Sequence, residues 1–149
     1  MDVIPEKLEK CREAGAHNSV VAVQGDLTEA LMDVSDGEGM DVVIDFACRG
    51  STIEEGIRAL ARAGRFLPMA GTTAASFQFN PREMLRNEKQ IMGSRFATKQ
   101  EVIDSLDLVA SGEIWPLVTE TYPLEQVDQI HERLEKGAVT GRAAIVMNM

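Results

Sequence analysis

Positive charge is scarce in this sequence, which carries 15 Lys and Arg residues against 24 Asp and Glu, a formal net charge of −9 over 149 residues. A nucleic-acid or anionic-membrane surface needs clustered positive charge, so neither partner is expected. No apolar run approaches the roughly 20 residues that a membrane-spanning helix needs, and the charged opening MDVIPEKLEK does not resemble a secretory leader. These absences predict a soluble, cytoplasmic α/β protein.

Cysteine is scarce as well, because Cys11 and Cys48 are the two in the chain and they form no CxxC motif. A zinc site usually needs three or four Cys, His or carboxylate ligands at characteristic spacings, which these residues lack together with His17 and His131. A disulfide is disfavoured in the cytoplasm. We therefore expect two free thiols and no metal site in this chain.

What the sequence does contain is an alternation of strand-like and helix-like segments, the pattern of a parallel α/β sheet. The clearest unit is a β-branched strand over 41–46, a helix that opens with the capping box Ser51–Glu54 and ends at Gly64, and a strand over 65–70 that Pro68 disturbs. The remaining segments are predicted helices over 5–14, 26–34, 81–87, 98–111 and 124–137 and predicted strands over 19–23, 77–79, 90–96 and 142–147, while 115–119 is predicted as a loop that turns into a strand. A change of rhythm near Phe96 predicts a boundary there.

The motifs that would complete an active site are missing from the sequence. It contains no GxGxxG, no P-loop, no GxSxG and no HExxH. Gly37 and Gly39 lack a third glycine at the required spacing and follow a predicted helix, so they indicate a loop. On the residues alone, the chain is an α/β domain without a complete active site.

Five segments follow one another in a specific order: DVIPEKLEKCREAGAH, GMDVVIDFACRG, GRFLPMAG, IMGSRF and VTETYPLEQVDQIHERLEKGAVTGRAAIV. Together they resemble the C-terminal half of the medium-chain, zinc-type alcohol dehydrogenases. The likeness extends from Asp2 to Val146, and the closing segment is its most specific part.

The resemblance implies a Rossmann-like, mostly parallel sheet that lacks its first strand and the glycine-rich loop. In that family a GroES-like catalytic domain with the zinc ligands comes first, so zinc is implied for the parent family and its ligands are absent from this chain. Residues 1–96 would be a partial NAD-binding domain, and residues 97–149 would return to the catalytic-domain side. The implied function is the NAD(H)-binding portion of an enzyme that transfers a hydride between an alcohol and the nicotinamide, inactive as the isolated chain.

The family's cofactor positions correspond to ten residues here, and none of the catalytic positions is present. Asp2 stands where an acidic residue binds the adenosine ribose and favours NAD over NADP; Lys7 lies near the same ribose, and Arg142 matches an arginine that reaches the pyrophosphate. The positions that line the cofactor from strand ends are Phe46, Ala47, Arg49, Ala70, Gly71, Ser94 and Phe96. Each position also has a purely structural alternative. Asp2 would be a helix N-cap, Lys7 a solvated surface lysine and Arg142 part of a surface ion pair. The strand ends would be small or apolar for packing alone.

The predicted strand Phe77–Phe79 corresponds to the edge at which subunits of the family join their sheets, so the resemblance implies a homo-oligomer through this edge. The partner of the complete protein would be a small-molecule alcohol or carbonyl substrate. Two alternatives stay open: a truncated, non-enzymatic oligomerisation or interaction module, and a zinc-free, quinone-reductase-like member of the same superfamily. The module is plausible because, in the sheet order 3-2-1-4-5-6, two strands are missing between 19–23 and 41–46. We favour a piece of a longer native protein.

Overall fold

The computed structural model describes residues 1–22, 27–71 and 76–147. They divide into two compact units. The first unit comprises Met1–Val3 and Ala16–Phe96, and the second comprises Ile4–Gly15 and the chain from Ala97 onward. None of the helices in these described ranges is long and apolar enough to cross a membrane.

Helices and short strands alternate along the chain. The helices are α1 (Pro5–Glu13), α2 (Leu27–Val34), α3 (Gly50–Arg58), α4 (Pro81–Asn87), α5 (Lys99–Ser111) and α6 (Val127–Glu135), and the strands are β1 (Met40–Asp45), β2 (Leu60–Pro68), β3 (Gln90–Ile91), β4 (Val118–Pro123) and β5 (Arg142–Val146). The first unit holds a sheet of order β1-β2-β3, and the second unit pairs β4 with β5. Every one of these pairs is parallel, which confirms the predicted α/β class with parallel strands.

The unit β1-α3-β2 forms the centre of the first unit. Val43 of β1 is opposite Phe66 of β2 in the parallel register, and both are buried. Helix α3 covers this face with Ile53 and Ile57, which are buried in the same apolar cluster. The β-branched run of β1 and the inward spacing of the α3 residues therefore produce the strand-helix-strand unit that the sequence predicts.

Helix α3 approaches the sheet closely at Gly56. A Cβ atom at this position would lie 2.8 Å from Phe66 Cε2 and 3.3 Å from Val43 Cγ1. Because Phe66 is completely buried, its ring has no free space into which it could move. Glycine at position 56 therefore sets the distance between helix and sheet.

Two buried charged side chains, Glu55 and Lys89, connect α3 to neighbouring segments of the chain. Glu55 accepts a hydrogen bond from the backbone N–H of Leu27 at 2.8 Å, which joins the start of α2 to α3. At the C-terminal end of α3, Lys89 Nζ donates to the carbonyls of Ile57 and Arg58 at 2.9 and 3.0 Å. A cation on the last carbonyls of a helix satisfies acceptors that have no partner within the helix.

The predicted strand over 19–23 is wrong as a full strand. Its described part makes one isolated parallel bridge, between Val21 and Asp2. Val23, the end of the predicted strand, and Asp26, the start of the predicted helix over 26–34, lie outside the described residues. The predicted strand over 90–96 is shorter than expected and ends at Ile91.

The predicted strand Phe77–Phe79 is also wrong. The backbone N–H of Gln78 donates to Glu54 Oε1 at 2.9 Å, so this stretch is tied to α3 by a side chain instead of joining a strand ladder. The side chain of Asn80 then caps α4 by accepting from the Arg82 N–H. Phe77 and Phe79 remain exposed, with ring centroids 6.3 Å apart.

Helix α3 is shorter than predicted, and β2 is longer. The helix begins at Gly50 and ends at Arg58, and β2 runs from Leu60 instead of from residue 65. Gly64 lies within β2 and does not end a helix. It stands beside a register shift between β1 and β2, where a Cβ would be 2.8 Å from the Met40 carbonyl oxygen. Pro68 is the last residue of β2, where the missing donor disturbs the ladder least.

Helix α5 forms as predicted but buries none of its residues. Thr98 and Glu101 make a capping box at its start, and the bonds from Thr98 to the carboxylate lower the pKa of Glu101. Its apolar side chains Val102 and Leu106 are 48% and 62% exposed. The cap and the helix propensity of the segment form the helix, although no described residue covers its apolar face.

In the second unit, β4 and α6 are joined by a small polar cluster. Arg133 donates to both carboxylate oxygens of Glu120, at 2.8 and 3.0 Å, and the Tyr122 hydroxyl also donates to this carboxylate. The bond from Tyr122 is the largest cause of the lowered pKa of Glu120, with a further contribution from Arg133. The same bond raises the pKa of Tyr122.

We expect Gly56→Val to lower the free energy of unfolding by about 2–3 kcal/mol, because the added carbons meet the Phe66 ring and the Val43 side chain. Equilibrium urea unfolding measures this change. Gly93→Val is the matched control, since nothing lies within 4 Å of a Cβ built there. Equal losses in the two variants would contradict the close contact at Gly56.

We expect the stability difference between the wild type and Tyr122→Phe to be largest at intermediate pH. The contribution of Glu120 is present above the ordinary carboxyl pKa of about 4.3 and is lost as the pH falls through its lowered folded value. The contribution of Tyr122 is present below the ordinary phenol pKa of about 10 and is lost as the pH rises through its raised folded value. Urea midpoints across the pH range test this, and a difference that does not change with pH would contradict it.

Candidate ligand-binding cleft

A cleft of about 520 Å³ opens at the carboxyl end of β1. Ligands of open parallel α/β sheets bind beyond the carboxyl ends of the strands, and this volume is in the range of small-molecule sites. The lining residues all belong to the first unit and are Met1, Asp2, Val3, Ala22, Leu27, Val43, Ile44, Asp45, Phe46, Ala47, Arg49, Thr52 and Gly56.

The loop from Phe46 to Arg49 is organised by the last residue of β1. Asp45 Oδ1 accepts from the backbone N–H groups of Ala47 and Cys48 at 2.8 and 3.0 Å, and Oδ2 accepts from the Thr52 hydroxyl at 2.6 Å. A carboxylate suits this role because it has several acceptor positions and no donor. These bonds join the end of β1, the loop and the first turn of α3.

Cys48 turns the loop back toward the sheet. Its φ of 43° lies in the left-handed region, which is uncommon for a residue with a side chain. The thiol is buried, donates to the Asp45 carbonyl oxygen at 3.0 Å and accepts from the Ala70 N–H at 3.4 Å. The side chain thus connects the loop after β1 with the chain beyond β2.

A second part of the lining of the cleft comes from the start of the chain. The bridge with Val21 fixes the backbone of Asp2, whose carbonyl accepts from the Ala22 N–H at 3.0 Å and whose N–H donates to Val20 at 3.4 Å. The Asp2 side chain is half-buried at the cleft. The lining of the cleft therefore includes two acidic residues, Asp2 and Asp45, and one cation, Arg49.

Of the ten predicted site residues, the structure brings four together at the cleft: Asp2, Phe46, Ala47 and Arg49. Ala70 and Gly71 follow β2 and are exposed, and the Ala70 N–H reaches the loop through Cys48.

The remaining predicted positions lie elsewhere in the fold. Ser94 and Phe96 are exposed beyond the end of β3, and the guanidinium of Arg95 lies 4.9 Å from the centre of the Phe96 ring. Lys7 lies in α1 and Arg142 begins β5, both in the second unit.

Asp45, Thr52 and Gly56 are among the lining residues of the cleft that the sequence reasoning did not assign. A usable signal existed for the first, because an aspartate that ends a predicted strand before a tight turn commonly accepts from the following N–H groups. The role of Thr52 was missed because the predicted capping box assigned the start of the helix to Ser51 and Glu54. Instead, the Arg49 N–H donates to the Thr52 hydroxyl at 3.2 Å, and the helix begins one residue earlier.

The side chains of the cleft fit an organic ligand with hydroxyl and anionic groups better than a metal ion. Asp2 offers acceptors and the Arg49 guanidinium offers donors, whereas the N–H groups of the loop already donate to Asp45 and Thr52. Within the described ranges, no group of three or more His, Cys, Asp or Glu side chains is arranged to hold a metal. The described residues therefore do not fit a zinc ion.

Comparison with known proteins gives a consistent result. The family model of the zinc-binding dehydrogenases matches residues 1–111 of the chain. The chain is 28% identical over 146 residues to the NAD-dependent alcohol dehydrogenase of Sulfurisphaera tokodaii, covering 98% of this chain and 42% of that protein. It is 26% identical over 145 residues to an alcohol dehydrogenase of Geobacillus stearothermophilus, covering 97% and 42%.

Among solved structures, the alcohol dehydrogenase from Aeropyrum pernix matches with a TM-score of 0.86 at 28% identity, covering 95% of this chain and 40% of that one. This likeness confirms the predicted Rossmann-like class. The chain spans less than half the length of these relatives. The match over residues 1–111 and the shared fold lead to one conclusion: the chain belongs to the zinc-binding dehydrogenase family and corresponds to the C-terminal, cofactor-domain half of its alcohol dehydrogenases.

Proposed function

We propose that the chain is the NAD(H)-binding portion of a zinc-type alcohol dehydrogenase. The observation that carries the proposal is the cleft at the carboxyl end of β1, where Asp2, Phe46, Ala47 and Arg49 meet. When bound, NAD supplies the hydride acceptor, and NADH the donor, for the interconversion of an alcohol and a carbonyl compound. The residues of this chain bind and orient the cofactor.

Asp2 would select the cofactor. A carboxylate accepts hydrogen bonds from two adjacent ribose hydroxyls, whereas it repels the 2′-phosphate that distinguishes NADP from NAD. The parallel bridge to Val21 supports this role, because it fixes the backbone from which the carboxylate projects into the cleft. Lys7 is proposed near the same ribose, and Arg142 at the pyrophosphate.

The loop after β1 would contact the cofactor mainly through its backbone and through Arg49. Phe46 is 73% exposed and Arg49 is exposed, so both are accessible from the cleft. The exposed strand ends Ala70, Gly71, Ser94 and Phe96 are proposed to lie on the nicotinamide side.

The complete enzyme would hold zinc through residues outside this chain and would act on a small-molecule alcohol or carbonyl substrate in the cytoplasm. Residues 1–96 would form the partial cofactor domain, and residues 97–149 would return to the catalytic domain. The exposed Phe77 and Phe79 are proposed as a contact between subunits of a homo-oligomer, although not as a paired strand.

Isothermal titration calorimetry with NADH and NADPH tests the proposed cofactor. We expect NADH to bind more tightly than NADPH, and Asp2→Ala to weaken NADH binding roughly tenfold while reducing the preference for NADH. Asp33→Ala is the control, since it removes the same charge from an exposed position of α2 that does not line the cleft. The absence of binding at millimolar NADH would instead support a non-enzymatic module.

A further inference from the structure

We propose that Asp45 is a positioning residue of the cofactor site, acting through the loop that carries Phe46, Ala47 and Arg49. The inference rests on the proposed NAD(H) function and assigns a role to a residue that ends the strand beside the site. Asp45 is half-buried at the junction of β1 and the loop. Its two carboxylate oxygens accept three hydrogen bonds from the chain itself, so its effect on a ligand is transmitted through the groups that it holds.

The first two of these bonds determine the direction of the loop. Because the N–H groups of Ala47 and Cys48 both point at Asp45 Oδ1, the peptide planes on either side of Ala47 are fixed relative to β1. The left-handed backbone of Cys48 needs such support, since a residue with a Cβ atom is strained there. Without the carboxylate, the loop would be free to adopt less strained conformations.

The third bond extends the control to Arg49. Thr52 Oγ1, which donates to Asp45 Oδ2, accepts from the Arg49 N–H at 3.2 Å and lies 3.0 Å from the Arg49 carbonyl oxygen. The Thr52 hydroxyl therefore links the Asp45 carboxylate to the backbone of Arg49, the residue immediately before α3. Asp45 and Thr52 together fix the point from which the Arg49 guanidinium leaves the wall of the cleft.

The experiment compares NADH affinity across two matched pairs of variants. Asp45→Ala removes all three bonds, whereas Asp45→Asn keeps an acceptor for the two N–H groups. Thr52→Val removes the hydroxyl at constant shape, whereas Thr52→Ser retains it. We expect the dissociation constant for NADH to rise roughly tenfold in Asp45→Ala and roughly fivefold in Thr52→Val, and to stay within about threefold of wild type in Asp45→Asn and Thr52→Ser.

Two controls separate positioning from general loss of stability. Asp41→Ala removes an exposed carboxylate from the same strand, and Ile57→Val weakens the core while leaving every hydrogen bond of the Asp45 side chain in place. Both should bind NADH like the wild type. In amide hydrogen exchange followed by NMR, the Ala47 and Cys48 signals of Asp45→Ala should exchange faster while the Phe66 signal of β2 is unchanged.

The outcomes are distinct. Unchanged NADH affinity in Asp45→Ala and Thr52→Val overturns this inference and leaves the proposed function standing. An equal loss of affinity in Ile57→Val also overturns it, since the effect would then follow stability alone. If the wild type does not bind NADH, both proposals are overturned. If Asp45→Ala does not fold, the comparison of Thr52→Val with Thr52→Ser decides the question.

Discussion

Helix α3 can lie against β1 and β2 because residue 56 has no side chain, and the first unit depends on this close approach. The Phe66 ring occupies the space that a Cβ would need, and it is completely buried. Once the helix is held at this distance, its two ends are also placed. Its first turn lies beside the carboxyl end of β1, and its last carbonyls lie within reach of Lys89. The distance between helix and sheet therefore determines where the cleft can form.

The cleft then follows from one carboxylate and one short bridge. Asp45 organises the loop after β1, and the bridge between Asp2 and Val21 fixes the backbone at the start of the chain. Both segments belong to the first unit, and together they line the cleft with the carboxylate of Asp2 and the guanidinium of Arg49. The deficit of positive charge is consistent with this arrangement, because a single arginine at the cleft is sufficient for a small anionic ligand, whereas nucleic acid would need many.

Elements whose formation depends on residues close together in sequence were predictable. Strand β1 follows from its β-branched run, and helix α5 is stabilised by the cap at Thr98; both are present in the structure. The strand predicted at Phe77–Phe79 does not form, and no local pattern indicates this, because Glu54, distant in sequence, accepts from the Gln78 N–H that a ladder would use. Four cofactor positions found by resemblance do meet at the cleft. Asp45 and Thr52 were missed because their importance lies in a network between three elements.

The central claim is that NAD(H) binds to the cleft at the end of β1. Titration of the isotopically labelled chain with NADH, followed by amide NMR shifts, tests this claim most directly. The account predicts saturable shifts of the Ala47, Cys48 and Arg49 signals, with the Phe66 signal nearly unchanged. Shifts that miss this loop, or no shifts at millimolar NADH, would contradict it.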